Sequence, residues 1–328
     1  MAEKKSNDIS EIIDVIKNRE NILILTHVKP DGDAVGSVFA LAGALKKINK
    51  NVSILFDEYN KKFNLVATQK FDSYVNKDKI DLIIVLDCGA KNRLGKYEYL
   101  LDEKNKVKIN IDHHISNNYF CDYNYVDAEA SSTSEIIYEF IKKMDLLDDK
   151  IAAAIYAGII SDTGGFCHSC TSCKTHLIAS ELLKFKFDFS NIYNKLMLEK
   201  SLDEVYLLDY VIKNLEIIKN LGLAISYLKI EELDKVNNKF TGGLISFIKN
   251  ICDIEIAVMI IENVNDNGEK FSKISFRSRE TDVNEIAKEF GGGGHKNAAG
   301  AIIKTNIKDS KEKIIRLISE KKKCVTEL

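Results

Sequence analysis

Tryptophan is absent from the chain and proline occurs once in 328 residues, where average usage of ~5% would give about sixteen prolines. No low-complexity tract and no internal repeat stands out. Nothing approaches the ~18 uninterrupted apolar residues of a membrane-spanning helix, which excludes a membrane protein of that kind. Charge is balanced at −2, from 47 basic and 49 acidic residues, so the chain as a whole has no strong electrostatic footprint for long DNA or RNA. The opening residues, MAEKKSNDIS, have no apolar segment and no small-residue cleavage site. They do not read as a signal peptide, and a cytoplasmic location is expected. Seven cysteines, an odd number in a long chain, fit reduced thiols better than a disulfide framework.

What is present is ordinary globular material, 45% apolar and 29% charged, which excludes disorder. The length implies two domains. Four short apolar runs read as buried parallel strands: Asn21–Thr26, Asp81–Leu86, Val107–Ile111 and Ala157–Ile160. Helical patterns lie between them. Ala34, Val38, Leu41, Ala42, Leu45 and Ile48 share one face, and Ser134–Met144 and Lys150–Tyr156 also read as helix. The expectation is an α/β fold: a doubly wound, mostly parallel sheet domain over residues 1–195. Ser201 and Glu204 form a capping box that opens a helical stretch reaching Ile218, of which residues 196–214 form a helical linker. Residues 215–328 then form a smaller α/β domain with a mixed sheet. Its strands are expected at Leu221–Ile230, Ile254–Ile261, Lys273–Arg277 and Ala298–Lys304, with a short helix capped by Asp282 and a final helix at Lys311–Lys321.

The chemistry follows the strands. The first run leads into Thr26-His27-Val28-Lys29-Pro30-Asp31-Gly32-Asp33, the second into Asp87, the third into Asp112-His113-His114, and the fourth into Ser161-Asp162. Ligands of an open α/β sheet bind outside the carboxyl ends of the strands, so these turns should meet at one edge. Asp31, Asp33, Asp87 and Asp162 would bring four negative charges, and His27 and His113 two neutral imidazoles. Such carboxylates would repel or protonate without compensation. Two divalent cations would balance them, and the oxygen–imidazole mixture suits Mn²⁺, with Mg²⁺, Co²⁺ or Zn²⁺ as alternatives. A metal pair about 3.5–4 Å apart is the arrangement for in-line displacement at phosphorus. The only proline, Pro30, and Gly32 let Asp31 and Asp33 be aimed separately. Gly36 and Ser37, in the next helix, are expected to turn free N–H groups toward an anion.

A second concentration lies at Gly291-Gly292-Gly293-Gly294-His295, where successive N–H groups can form an anion-binding nest. Arg277 and Arg279, on either side of Ser278, can hold another phosphate. Each feature alone has a bland explanation. An Asp after a strand is usually a helix cap, a His pair usually does nothing, and a glycine run is usually a tight turn. Convergence of four turns at one sheet edge, with a charge set that needs cations, favours the metal site. Cys167, Cys170, Cys173 and His176 are evenly spaced and can in principle ligate zinc or iron–sulfur. Without a complete second ligand pair nearby, they read as a loop leading into a helix.

Taken together, His27, Pro30-Asp31-Gly32-Asp33, Asp87, Asp112-His113-His114, Asp162 and the Gly291–His295 run resemble the DHH phosphoesterase superfamily. The C-terminal half is similar to the first type of DHH-associated domain. Size and layout resemble the nanoRNase/pAp-phosphatase branch, the NrnA-like bifunctional oligoribonucleases, over nearly the whole chain. The resemblance implies two Mn²⁺, with Mg²⁺ or Co²⁺ as alternatives: His27, Asp31 and Asp87 around one, and Asp33, Asp87, His113 and Asp162 around the other, so that Asp87 bridges. It implies catalytic roles for Asp87, Asp112 and His114, with His114 on the scissile phosphate and Asp112 orienting its neighbours. Arg277, Ser278, Gly292, Gly293, Gly294 and His295 would hold the rest of the substrate.

The implied reactions are hydrolysis of short oligoribonucleotides to mononucleotides and of 3′-phosphoadenosine 5′-phosphate (pAp) to AMP and phosphate. The alternatives are a cyclic di-AMP or pApA phosphodiesterase and, from another class, a non-catalytic nucleotide sensor. A manganese pyrophosphatase is disfavoured, because those relatives carry a different C-terminal domain without the Gly-Gly-Gly-Gly-His turn. Partners are short oligoribonucleotides and nucleotide bisphosphates, with no long duplex nucleic acid and no membrane, and a homodimer is admitted. Where family members often carry a basic residue after the fourth motif, this chain has Cys167.

Overall fold

Near-continuous apolar runs in the first half form strands covered on both faces, as in other parallel sheets. The computed structural model describes residues 6–237, 243–265 and 267–326. The chain divides into two units, Met1–Glu199 and Lys200–Leu328. In the first, the order is α1 (Ile9–Lys17), β1 (Asn21–Leu25), α2 (Gly32–Lys47), β2 (Asn51–Ile54), β3 (Leu82–Leu86), β4 (Val107–Asp112), β5 (Tyr123–Val126), α3 (Thr133–Lys143), α4 (Asp149–Asp162), α5 (Cys173–Leu182) and α6 (Phe189–Tyr193). The five strands are all parallel in the order β2-β1-β3-β4-β5. Alternate residues serve opposite faces. Ile22, Ile24, Leu82, Ile84, Leu86, Ile109 and Ile111 pack with the helices, while Leu23, Leu25, Ile83 and Val85 pack with Leu94, Leu100 and Leu101 on the other side.

Ala157–Ile160 is not a strand. It is the last part of α4, whose residues from Ile151 to Ile160 are all buried. A helix covered all round has no polar face, so a short window of it reads like a buried strand. The burial comes from tight packing against α2. A Cβ on Gly36 would lie 2.6 Å from the Ala154 carbonyl oxygen and 2.8 Å from the Gly158 nitrogen, so only glycine fits there. Gly36 therefore serves helix packing and not an anion. Ser37 is likewise buried, with its hydroxyl donating to the Ala34 carbonyl at 3.1 Å. The short strands β2 and β5 have no counterpart in the apolar runs.

The second unit contains α7 (Leu202–Lys213), β6 (Glu216–Ile218), β7 (Leu223–Leu228), α8 (Ile230–Leu233), α9 (Leu244–Lys249), β8 (Ile256–Val264), β9 (Lys270–Ser278), α10 (Val283–Lys288), β10 (Gly293–His295), β11 (Ala298–Ile303) and α11 (Ile307–Thr326). The mixed sheet has the order β10-β11-β9-β8-β7-β6, with only β7 and β8 parallel. The capping box of α7 is present: the Ser201 hydroxyl accepts from the Glu204 N–H at 3.2 Å, and Glu204 accepts from the Ser201 N–H at 2.8 Å. The helix is shorter than its periodicity suggests. Asn214 ends it, donating to the Tyr227 carbonyl at 3.1 Å, and Glu216–Ile218 pairs with β7 instead. The helix also belongs to the second unit, because Leu207 and Val211 are buried with Ala224, Leu228 and Met259. Among the described residues, no helix is long and apolar enough to cross a membrane.

The glycine contact makes a direct prediction. Gly36→Ala should lower stability by about 1–3 kcal/mol through overpacking, read as a lower denaturant midpoint for the first unit. A midpoint equal to that of the unaltered protein would show that the two helices do not need to approach so closely.

Candidate metal centre

In a sheet of this strand order the chain turns to opposite sides after β1 and β3, and the crevice at that switch point takes the ligand. His27, Asp31 and Asp33 follow β1, Asp87 follows β3, and Asp112, His113 and His114 close β4. Asp162 arrives from the last turn of α4 rather than from a strand. The structure brings these groups together in three sets, each with donor atoms within 4.8 Å of one another: His27, Asp31 and Asp87; Asp33, His113 and Asp162; and Asp87, His113 and His114.

Neighbouring backbone orients the imidazoles. His27 Nδ1 lies 2.7 Å from the Val28 carbonyl oxygen and His113 Nδ1 lies 3.3 Å from that of Ala130. With the Nδ1 protons donated there, each Nε2 is left as a free electron pair. His27 Nε2 stands 3.6 Å from Asp87 Oδ2. His113 Nε2 stands 3.6 Å from Asp87 Oδ1 and 3.4 Å from Asp162 Oδ2. Asp87 thus has an imidazole on each side. Its backbone is left-handed, with φ +54°, a conformation that costs free energy in a non-glycine residue and that turns up at functional sites.

The carboxylates are braced as well. Asp31 caps α2, its Oδ1 accepting the N–H groups of Asp33 and Ala34, each at 3.1 Å. The cap and the candidate ligand are therefore the same residue. Asp33 is fully buried, and its two oxygens accept the N–H groups of Thr133 at 2.6 Å and Ser134 at 2.8 Å. These are unpaired donors of the first turn of α3, where the helix end also favours an anion. The Thr133 hydroxyl donates to Asp87 Oδ1 at 3.0 Å, so one residue steadies two carboxylates. Thr133 and Ser134 were not singled out from sequence. The signal that could have found them is the run Ser131-Ser132-Thr133-Ser134-Glu135, a capping pattern at the start of a helix.

Proximity of like charge shows in the proton affinities. Burial, then the charges of Asp87 and Asp162, raise the carboxyl of Asp33 well above the ordinary range. Burial also lifts Asp162 to about 6, with His113 opposing and Asp87 reinforcing the rise. Burial acts on Asp87 in the same direction, but the imidazoles of His27, His113 and His114, when they carry a second proton, hold it below the usual value. A cluster that retains protons unless cations replace them fits divalent ions, and the mixture of carboxylate oxygen and imidazole nitrogen fits Mn²⁺, Mg²⁺ or Co²⁺.

Asp112 belongs to none of the three sets. It is wholly buried, and its Oδ1 accepts from His114 Nδ1 at 2.6 Å. That bond, followed by burial acting the other way, raises the proton affinity of His114. Cys167, Cys170 and Cys173 are exposed, and His176 stacks on Phe166 at 5.1 Å between ring centroids.

In the second unit, the register of β10, β11 and β9 sets His295 opposite Ala298, and Ala298 opposite Arg277. Directly paired residues share a face, so an imidazole and a guanidinium flank one small side chain. The glycine run does not form an open nest. The Gly291 and Gly292 N–H groups donate to the carbonyls of Lys288 and Ala287, each at 2.9 Å, and that of Gly294 to Asn284 Oδ1 at 2.9 Å. A Cβ on Gly292 would meet the Gly300 carbonyl oxygen at 2.1 Å, so close strand packing requires that glycine. Gly293 is exposed. Arg279 donates to the carbonyls of Ile254 at 2.8 Å and Ile251 at 3.3 Å, which anchors its guanidinium to the segment before β8. The Ser278 hydroxyl donates to the Thr281 carbonyl.

Fold and cluster together define an α/β protein with a candidate metal site at its topological switch point. Residues 21–159 match the DHH family, N-terminal domain, and residues 220–324 match the DHHA1 domain. The chain is 35% identical over 299 residues to a probable bifunctional oligoribonuclease and PAP phosphatase NrnA of Streptococcus mutans, covering 88% of this chain and 92% of that one. It is 30% identical over 302 residues to the bifunctional oligoribonuclease and PAP phosphatase NrnA of Bacillus subtilis, covering 90% and 93%. An exopolyphosphatase-related protein from Bacteroides fragilis superposes with a TM-score of 0.82 at 27% identity, covering 98% and 97%. RecJ from Thermus thermophilus in complex with Mn²⁺ shares the fold, with a TM-score of 0.56 at 12% identity, covering 95% of this chain and 55% of that one. The chain belongs to the DHH family.

Two substitutions test the cluster. Asp87→Ala should abolish binding of both ions, read as metal content after desalting, because that carboxylate borders both groups of ligands. Full metal content would show that Asp87 does not bridge. Thr133→Val keeps the shape but removes the hydroxyl bond, and should weaken Mn²⁺ affinity about 10- to 100-fold in a calorimetric titration.

Proposed function

We propose that this chain is a two-metal phosphoesterase that hydrolyses short oligoribonucleotides to mononucleotides and pAp to AMP and phosphate, with Mn²⁺ as its metal. The observation that carries this function is the position of Asp87 between two ligand groups, His27 with Asp31 on one side and His113 with Asp33 and Asp162 on the other. The names of the two NrnA relatives support the substrates.

His27, Asp31 and Asp87 would hold one ion, and Asp33, His113 and Asp162, with Asp87 beside them, would hold the other. Bound divalent ions supply Lewis-acid activation of water and neutralise the phosphoryl oxygens. The chain's own groups do the rest. His114 has committed Nδ1 to Asp112, so Nε2 is the atom it offers to an oxygen of the scissile phosphate. Arg277 and His295, flanking Ala298, bind a second phosphate of the substrate. Ser278, Gly292, Gly293 and Gly294 shape that subsite, as a buried hydroxyl and a close-packed hairpin. pAp and dinucleotides are small molecules that carry one scissile and one further phosphate. Cyclic di-AMP and pApA make the same demands and compete as substrates.

A substrate panel tests the proposal. With Mn²⁺, the protein should release AMP from pAp and mononucleotides from di- and trinucleotides, and a chelator should abolish both activities. Turnover of cyclic di-AMP or pApA with a much higher kcat/KM than either would move the assignment to the phosphodiesterase. Tight pAp binding without product would make the chain a sensor.

A further inference from the structure

The contacts of Asp112 continue past His114. Its second oxygen, Oδ2, accepts from Asn117 Nδ2 at 2.6 Å. The same Asn117 nitrogen donates its other proton to Asn110 Oδ1 at 2.7 Å. Asn117 Oδ1 accepts the Tyr119 N–H at 2.7 Å, which fixes the amide so that its donors face Asp112 and Asn110. Asn110 Nδ2 donates to the carbonyls of Val85 and Cys88, both at 3.2 Å, astride Asp87. Asn117, Asn110 and Asp112 are all buried. Each amide proton and each amide oxygen has a partner, so the network has one orientation. Two backbone bonds tie it to the ligand loops: the Asn117 N–H to the His114 carbonyl at 3.0 Å, and the Asn118 N–H to the Gly89 carbonyl at 2.8 Å.

His114 has two carboxylates within reach. Its Nδ1 is 2.6 Å from Asp112 Oδ1 and 3.8 Å from Asp87 Oδ1, and with Asp87 and His113 it forms one of the sets able to hold a cation. The ring could therefore serve the substrate or the metals, and the carboxylate of Asp112 decides which. That carboxylate is held in turn from its far side by Asn117.

We propose that Asn117, seated by Asn110, is a positioning residue: it sets Asp112 so that His114 stays turned toward the phosphoryl group and out of the metal ligand set. The proposal rests on the phosphoesterase function above. Asn117 touches neither the metals' ligand atoms nor the substrate, and acts only through Asp112 and His114.

The test is a double-mutant cycle in the full-length, Mn²⁺-loaded protein, with pAp as substrate. Asn117→Ala should lower kcat about 10- to 100-fold while KM and a metal content of two ions per chain stay as in the unaltered protein. In a His114→Ala background the same change should cost less than about 3-fold, because its route of action is already gone. A second readout needs no turnover. In Mg²⁺-loaded protein, the His114 Nδ1 proton should give a far-downfield NMR signal that is absent in His114→Ala and is lost or moved upfield in Asn117→Ala. Additive losses, loss of an ion in Asn117→Ala, or an unmoved proton signal would each overturn the proposal. If the alanine protein does not fold, Asn117→Ser runs the same cycle. Failure of the unaltered protein to cleave pAp or dinucleotides would instead sink the proposed function, and the NMR readout would still decide the role of Asn117.

Discussion

Mutual repulsion among carboxylates in a poorly hydrated crevice is the constraint on which the first unit is built. Asp31, Asp33, Asp87 and Asp162 are brought to one end of a parallel sheet, and two of them, Asp33 and Asp87, are almost without solvent. Charges so placed need compensation or they take up protons. The protein supplies part of it. The first turn of α3 gives two N–H donors to Asp33, Thr133 gives a hydroxyl to Asp87, and three imidazoles surround the cluster. The elevated proton affinities of Asp33 and Asp162 show that this is not enough. The remaining deficit of positive charge is one that divalent cations held by these groups would make good.

The fold answers this constraint with rigidity. Asp33 and Asp162 sit on the two helices packed most closely together, with Gly36 of one against Gly158 of the other. At Gly36 the backbones meet without an intervening side chain, which holds the two helices, and the carboxylates they carry, closely together. Asp87 is held by a left-handed turn and a backbone bond to Ile111 at 3.1 Å. A site of this kind can bind and release ions without its ligands having to find one another again, which is the physical content of preorganisation.

What the sequence made legible follows the same logic. β1, β3 and β4 announced themselves as apolar runs that end in Asp or His, and from their ends the meeting of His27, Asp31, Asp33, Asp87 and His113 could be anticipated. Asp162 was placed at the right edge on a wrong element, because the buried α4 has no polar stripe to betray its period. Gly36 and the glycine run have the sequence character of anion-facing backbone. Glycine is also what close packing requires, and the sequence does not tell the two uses apart. Thr133, Asn110 and Asn117 went unnoticed because their roles depend on partners remote in the chain, Asp87 for the first and the loops after β3 and β4 for the others.

The closed glycine hairpin bears on how the second unit would recognise a phosphate. With the N–H groups of Gly291, Gly292 and Gly294 spent inside the second unit, recognition of a phosphate there, on the proposed function, would fall to side chains. Arg277 and His295 are the ones that the strand register sets on either side of Ala298. A guanidinium can meet a phosphate through two parallel bonds, whereas a backbone nest would grip any small anion. Side-chain recognition would therefore favour an anion with the oxygen arrangement of a phosphate. In the first unit, the division between Asp87, which faces the ligands, and Asp112, which faces His114 and Asn117, works in the same direction. One carboxylate assembles charge, the other aims a donor, and the two duties stay separate because buried amides hold the second carboxylate out of the first one's cluster.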